Sequence, residues 1–141
     1  MTPSPDFPLD YQTRDRVLFG QPLDWEARSA PPGVSEPFAG LGVASLQDLI
    51  ALGFADPQSA VNAAPTLGQF LEFAHQQSEQ GFEFVLSGYA FHPQQSLSIE
   101  IDGISRTGCC PAEVIVAFAR FAWHHADKLT LESDGLEAWW D

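Results

Sequence analysis

Apolar side chains recur with helical spacing in two stretches soon after residue 44. In the first, Ser45 and Asp48 have the spacing of a capping box, and Gly53 is placed to end the helix. In the second, Asp56 followed by Pro57 is typical of a helix start, which predicts one or two helical turns through residue 63. Two helices are therefore expected in the first part of this region.

Two longer amphipathic helices are predicted further along the chain. Thr66 and Gln69 form a second capping-box pattern, and the helix behind them extends to about residue 80, where Gly81 follows. The last helix is expected to begin at Pro111, with Cys110 near its N-cap, and to continue to about residue 126. Its apolar positions form two stripes, so we expect neighbours on both flanks of this helix.

Between these helices the pattern changes from helical to alternating. Residues 82–91 have strand composition, residues 92–95 are typical of a turn, and residues 97–101 alternate apolar with polar side chains. This pattern predicts a hairpin whose second strand has one solvated face. The pair Asp102 and Gly103 is expected to end or bend that strand.

The end of the chain repeats the alternating pattern. Residues 128–132 and 136–140, with a turn at 133–135 between them, predict a second hairpin. Residues 45–141 are therefore predicted to form a single α+β domain in the order α-α-α-β-β-α-β-β. The expected architecture is a mainly antiparallel sheet of about four strands with helices packed on one face.

Residues 1–44 differ in composition from the rest of the chain. They hold seven of the eleven prolines, which excludes long helices and central strands. They also carry five large aromatic side chains, more than a solvated tail usually has. We interpret this proline-rich segment as an extended arm packed on the domain, with an edge strand at residues 16–19 and one turn of helix after Pro22.

Composition constrains the partners of the protein. The 141 residues include 19 acidic and only 6 basic ones, so the formal charge is −13. Nucleic acids and anionic membranes are bound through clustered lysine and arginine, so neither is expected as a partner. With 45% hydrophobic residues the chain has enough apolar material for a core, which excludes wholesale disorder.

Several absences bear on location and chemistry. The first ten residues do not resemble a secretory signal, and no apolar run reaches the roughly 18 residues that span a bilayer. The two cysteines are adjacent and form no disulfide framework, so a cytoplasmic location is expected. The glycine-rich phosphate motifs, G-x-S-x-G and C-x-x-C are missing from the sequence, and no cofactor is expected.

Cys109 and Cys110 are the sharpest local feature of the sequence. A thiol at a helix N-terminus lies near the positive end of the helix dipole, which favours the thiolate, and a histidine could serve as its base. Burial in the core is the alternative, because free cysteine is among the most buried residue types. The adjacent His124 and His125 point in different directions on a helix, so no metal site is expected.

An acidic row is predicted on the first hairpin. Glu100 and Asp102 lie on the solvated face of one strand, and Glu83 on the neighbouring strand extends the row. Such a row could meet a basic partner, could supply paired carboxylates for catalysis, or could be merely solvated. Trp140, next to Trp139, is the candidate apolar contact, with packing under a helix or the arm as the alternative.

These features predict a small acidic protein that binds another protein and catalyses no reaction, as an accessory, inhibitor or immunity-type module. The partner would be a basic protein or a second copy of the chain paired through the last hairpin. The candidate contacts are Glu83, Glu100, Asp102 and Trp140. Two alternatives stay open, a thiol-dependent enzyme using Cys109 or Cys110 and a small-molecule-binding domain whose aromatic pocket is lined by Phe73, Phe121 and Trp123.

Overall fold

The computed structural model describes residues 10–27 and 35–141, which form one five-stranded antiparallel sheet and four α-helices. The helices are α1 (Tyr11–Phe19), α2 (Val43–Ala51), α3 (Leu67–Glu79) and α4 (Ala112–Ala122). The strands are β1 (Ser35–Leu41), β2 (Val85–Phe91), β3 (Ile99–Thr107), β4 (Lys128–Glu132) and β5 (Gly135–Trp139). They lie side by side in the order β1-β2-β3-β5-β4. None of the helices in these two ranges is long and apolar enough to cross a membrane.

The predicted α+β class with an antiparallel sheet is confirmed, but the sheet has five strands and not about four. The additional strand, β1, lies inside the proline-rich segment and pairs with β2, with Ser35 opposite Phe91 and Leu41 opposite Leu86. Because β1 is an edge strand, it tolerates Pro37, whose missing N–H would interrupt a central strand. Residues 1–9 and 28–34 of the predicted arm lie outside the described residues.

The edge strand predicted at residues 16–19 is wrong, because these residues are the second half of α1. The only fully buried residues of α1 are the polar pair Arg14 and Asp15. An apolar stripe, the usual signal of a helix in a sequence, is therefore missing here. A 3₁₀ turn at Trp25–Ala27 follows, close to the helical turn expected after Pro22.

The polar pair in α1 is satisfied by a network that reaches across the fold. The Asp15 carboxylate accepts hydrogen bonds from Arg14, from the Trp25 indole at 2.8 Å and from the Leu23 N–H at 3.0 Å. The Arg14 guanidinium also donates to the Ser96 carbonyl at 3.2 Å in the loop between β2 and β3. Burial lowers the pKa of Arg14, while the neighbouring Asp15 charge opposes that shift.

The helix predicted to start at Asp56 is not formed, so only α2 and α3 precede β2 after residue 44. The Asp56 carboxylate instead accepts a hydrogen bond from the Gln58 N–H at 2.9 Å and stabilises a turn. The Pro57 carbonyl accepts from the Gly68 N–H at 2.9 Å, which holds this turn against the start of α3. The capping box predicted at Ser45 is also wrong, since α2 begins earlier, at Val43.

The capping box of α3 and the second hairpin are confirmed. The Thr66 hydroxyl accepts from the Gln69 N–H at 3.1 Å, and the Gln69 side chain accepts from the Thr66 N–H at 2.8 Å. In the hairpin, Glu132 pairs with Gly135 across a two-residue turn. The last helix begins one residue later than predicted, with Pro111 as its N-cap, and ends four residues earlier, at residue 122.

The helices α3 and α4 cover one face of the sheet through a cluster of aromatic rings. Phe73 stacks on Phe121 with ring centroids 4.6 Å apart, and Phe84, the residue before β2, stacks on Phe118 at 5.5 Å. Successive side chains of a strand point to opposite faces of the sheet. The strand residues between the buried ones therefore point away from α3 and α4. We call that opposite face, turned away from α3 and α4, the outer face.

Candidate functional site

A β-bulge in β3 interrupts the regular pairing at the centre of the sheet. Ser87 lies opposite Gly103, and the next residue of β2, Gly88, lies opposite Ile101. Asp102 therefore has no partner of its own on β2, as expected for the extra residue of a bulge. The strand predicted to end or bend at this point bends and continues to Thr107.

Two glycines allow the strands to approach at the bulge. A Cβ on Gly88 would collide with the backbone carbonyl oxygen of Glu100. A Cβ on Gly103 would collide with the Ser87 hydroxyl. The glycines thus meet a requirement of the backbone, and the bulge directs a carboxylate out of the sheet.

Asp102 lines a cleft of about 520 Å³ on the outer face, which we call the outer cleft. Two of the large exposed hydrophobic residues also line it, Tyr89 from β2 at 40% exposure and Trp139 from β5 at 38%. Their strands are separated by β3, where Tyr89 lies opposite Glu100 and Trp139 lies opposite Gly103, so the two aromatic residues stand on either side of Asp102. The other polar side chains of the outer cleft are Ser87, Ser105 and Glu137.

The carboxylates of this region differ in their electrostatic surroundings. Burial raises the pKa of Asp102, the charges of Glu100 and Asp141 raise it further, and a backbone hydrogen bond within Asp102 opposes the shift. Glu137, in contrast, forms an ion pair with Lys128 at 2.9 Å. No ion pair to Asp102 occurs within the described part of the chain. A cation brought by a partner would therefore stabilise the Asp102 carboxylate more than Glu137.

The structure brings together only part of the predicted acidic row. Glu100 and Asp102 lie on β3, with Glu100 opposite Tyr89. Glu83 precedes β2, and because Val85 lies opposite Ser105, Glu83 is about 17 Å from Asp102 along the strands. It therefore does not belong to the outer cleft.

The two tryptophans at the end of the chain point in opposite directions. Trp140 is 1% exposed, its indole N–H donates to the His124 carbonyl at 3.1 Å, and its ring packs edge-on against Phe70. The predicted apolar contact therefore lies in the core, and Trp139 is the residue that reaches the outer face. Of the two predictions for Trp140, an exposed contact or packing under a helix, the structure has the second, because the ring packs against Phe70 of α3.

The two cysteines lie in different environments at the start of α4. Cys110 is buried, and its thiol donates to the Gly108 carbonyl at 3.2 Å. Cys109 is exposed. His124 and His125 follow the opposite end of the 11-residue helix, about 16 Å away along its axis. Among the described residues, no three His, Cys, Asp or Glu side chains are grouped to hold a metal ion.

A second cleft, of about 490 Å³, lies between α3, α4 and residues 63–65. The stacked Phe73 and Phe121 line it, as predicted for an aromatic pocket, together with Arg120 and His124 at one wall. Trp123, the third predicted residue, is 63% exposed and does not line this helical cleft.

Comparisons of the chain with protein-family models, curated proteins and solved structures found no match.

Proposed function

We propose that the protein is a non-enzymatic binding module that recognises a basic protein through the outer cleft. In this proposal, Tyr89 and Trp139 flank a lysine or arginine side chain of the partner while Asp102 accepts its charge. The observation that carries the proposal is the placement of Asp102, which a bulge directs into a cleft between two exposed aromatic residues. An accessory, inhibitor or immunity-type role is consistent with such a module.

The chemistry of the outer cleft favours a cation. Aromatic faces attract lysine and arginine by about 0.5–2 kcal/mol, depending on how far the cation is desolvated. A hydrogen bond between a charged donor and a carboxylate adds directional binding on the same group. Aromatic residues in a partly desolvated pocket are also the usual anchors of protein interfaces.

The charge of the whole chain supports the same kind of partner. A formal charge of −13 attracts a basic protein at long range and accelerates encounter. The described lining of the outer cleft contains no histidine, cysteine or lysine, so the usual nucleophile–base pairs of catalysis are not assembled there. Binding therefore accounts for this lining better than catalysis.

The proposal is tested by mapping where a cationic peptide binds. Trilysine and triarginine are titrated into ¹⁵N-labelled protein, and amide chemical shifts are followed by NMR. We expect saturable shifts at Tyr89, Asp102 and Trp139, and their loss in Asp102→Asn. Glu83→Gln is the matched control, since it removes one negative charge outside the cleft and should leave binding unchanged.

Two results would overturn the proposal. Shifts spread over all acidic residues would show non-specific attraction, and equal binding by Asp102→Asn and wild type would exclude the bulged carboxylate as the recognition group. Affinity capture from a lysate extends the test to the natural partner. A partner retained by wild type and Glu83→Gln should be lost with Asp102→Asn and with Trp139→Ala.

A small-molecule function is the second candidate, because the stacked Phe73 and Phe121 line the helical cleft. A flat aromatic ligand would extend this stack, and Arg120 at the rim favours an anionic substituent. A thermal-shift screen of aromatic carboxylic acids tests this function. Hits that protect wild type and Phe121→Leu equally would exclude the helical cleft as their site.

A further inference from the structure

The strand β4 forms one edge of the sheet, and in the described ranges no further strand pairs with it. The opposite edge, β1, carries Pro37 and has an irregular register between Phe38 and Leu41, features that hinder pairing with another strand. In contrast, β4 keeps a regular register with β5 at all five of its positions. Of the two edges, β4 is the one suited to accept another strand.

The backbone groups of Leu129 and Leu131 face this open edge. The Trp140 N–H donates to the Asp102 carbonyl at 2.8 Å, so even-numbered residues of β5 direct their backbone groups toward β3 and odd-numbered ones toward β4. Thr130 lies opposite Glu137 and therefore bonds to β5. Its two neighbours in β4 consequently present unpaired N–H and C=O groups outward.

Exposed apolar side chains accompany the same edge. They are Leu129 and Leu131 of β4, exposed by 36% and 42%, and Val116 and the C-cap Trp123 of the neighbouring helix α4, exposed by 48% and 63%. These four, which we call the edge patch, are a majority of the seven large hydrophobic residues that the described chain exposes. The two leucines lie on the helix-covered side of the sheet, since their partners on β5 are buried.

The α4 part of the edge patch faces solvent. Val116 and Trp123 are seven residues apart and share one side of the helix. That side is opposite the buried stripe of Val114, Phe118 and Ala122, which faces the core. We predicted neighbours on both flanks of α4, and the described chain leaves Val116 and Trp123 exposed.

We propose that β4 pairs antiparallel with β4 of a second copy of the chain, about a two-fold axis through Thr130. The strand reads Lys-Leu-Thr-Leu-Glu, which is self-complementary in this register. Lys128 lies opposite Glu132 of the partner subunit on the outer face, and Leu129 lies opposite Leu131 of the partner subunit on the helix-covered side. The outward backbone groups of the two leucines then pair with each other, which extends the sheet to ten strands.

The net negative charge of each copy opposes this association, but most of the repelling charges lie far from the contact between the two β4 strands. At physiological ionic strength the screening length is about 8 Å, so charges on distant faces of two copies repel weakly. The opposed lysine and glutamate side chains approach to contact distance, where screening is weaker. The proposal concerns β4 and α4 only and does not rest on the function proposed for the outer cleft.

Charge reversal at the strand ends tests the register by sedimentation velocity and equilibrium. Lys128→Glu and Glu132→Lys each place like charges opposite one another twice per dimer. We expect each variant alone to have a dissociation constant about tenfold or more above that of wild type. Mixed in equal amounts, the two variants should associate again, because every residue 128 then faces the opposite charge at residue 132.

Recovery in the mixture excludes misfolding as the reason for weakened association. A wild-type chain that remains monomeric at several hundred micromolar would overturn the proposal, and so would single variants that associate like wild type. A mixture that stays monomeric although wild type dimerises would overturn the proposed register. Glu132→Lys leaves the residues of the outer cleft unchanged, so trilysine binding measured on this variant reports separately on the proposed function.

Discussion

Replacing Asp15 with asparagine removes the negative charge that, in the described ranges, is paired with the buried Arg14 guanidinium. Both side chains are 0% exposed, with the Arg14 and Asp15 side-chain atoms 3.1 Å apart. The substitution preserves the volume of the side chain, so it creates no cavity. It leaves the arginine charge buried without a counter-charge. It also places an amide N–H₂ group where the surrounding groups are hydrogen-bond donors.

The size of the effect can be worked from the contacts. Breaking a buried ion pair by neutralising one partner costs about 3–5 kcal/mol. The hydrogen bonds from the Trp25 indole and the Leu23 N–H lead to a similar sum, at about 1.5–3 kcal/mol for each bond to a charged group. A single domain is stable by about 5–15 kcal/mol, so Asp15→Asn should remove about a fifth or more of the stability.

Urea unfolding followed by circular dichroism measures this loss. With a slope of about 1–3 kcal/mol per molar, a loss of about 3–5 kcal/mol should lower the midpoint by about 1–5 M at unchanged slope. Asp10→Asn is the matched control, since Asp10 is the exposed N-cap of the same helix and its side chain makes no capping bond. Its effect should stay within about 0.5 kcal/mol. A stability of Asp15→Asn within about 1 kcal/mol of wild type would contradict the expected cost of leaving the Arg14 charge buried and unpaired.

Three further predictions follow from the bulge and from the cysteines. Because the pKa of Asp102 is raised on folding, its ionised form destabilises the protein at neutral pH. Asp102→Asn should therefore raise the urea midpoint at pH 7. This gain should vanish below about pH 4, where the carboxyl is protonated in both the folded and the unfolded state. A gain that is the same at both pH values would contradict this linkage. Gly88→Ala forces a backbone clash and should cost about 1–3 kcal/mol or more, whereas Gly135→Ala, whose Cβ meets only an ordinary contact, should cost less than 1 kcal/mol in the same urea assay. Iodoacetamide followed by mass spectrometry should label Cys109 in the folded protein and Cys110 only in urea; labelling of both at one rate would contradict the burial of Cys110.

The elements that could be predicted from the sequence are those whose local signals agree. The α3 helix has a complete capping box and an apolar stripe, and the second hairpin has a two-residue turn between alternating strands. The face of the sheet that the helices cover could also be predicted, because buried and more exposed positions alternate along its strands. In these segments, propensity and pattern specify the same structure.

The missed elements are those whose order comes from distant contacts. The α1 helix buries a charged pair that is satisfied by Trp25 and Ser96, and no local pattern records those partners. The β1 strand contains Pro37 and is specified by its pairing with β2. At Asp56 a turn prevailed over a helix start, because the carboxylate bonds the N–H two residues on.

The candidate site was predictable only in part for the same reason. Asp102 was found because it lies close to Glu100 on one strand, although Glu100 does not line the outer cleft. Tyr89 and Trp139 join Asp102 through pairing across β3, and the choice between Trp139 and Trp140 depends on the register of β5 against β3. A shift of one residue would exchange the exposed and the buried tryptophan.

The network around α1 also determines when that helix can form during synthesis. Arg14 is joined to the Ser96 carbonyl, 82 residues later in the chain, and His92 contacts the backbone of Trp25. A nascent chain that ends before residue 92 therefore lacks the contacts that His92 and the Ser96 carbonyl make, and α1 leaves the ribosome long before the loop that receives it. A helix of nine residues is marginal on its own, so the first segment to be translated is among the last to fold.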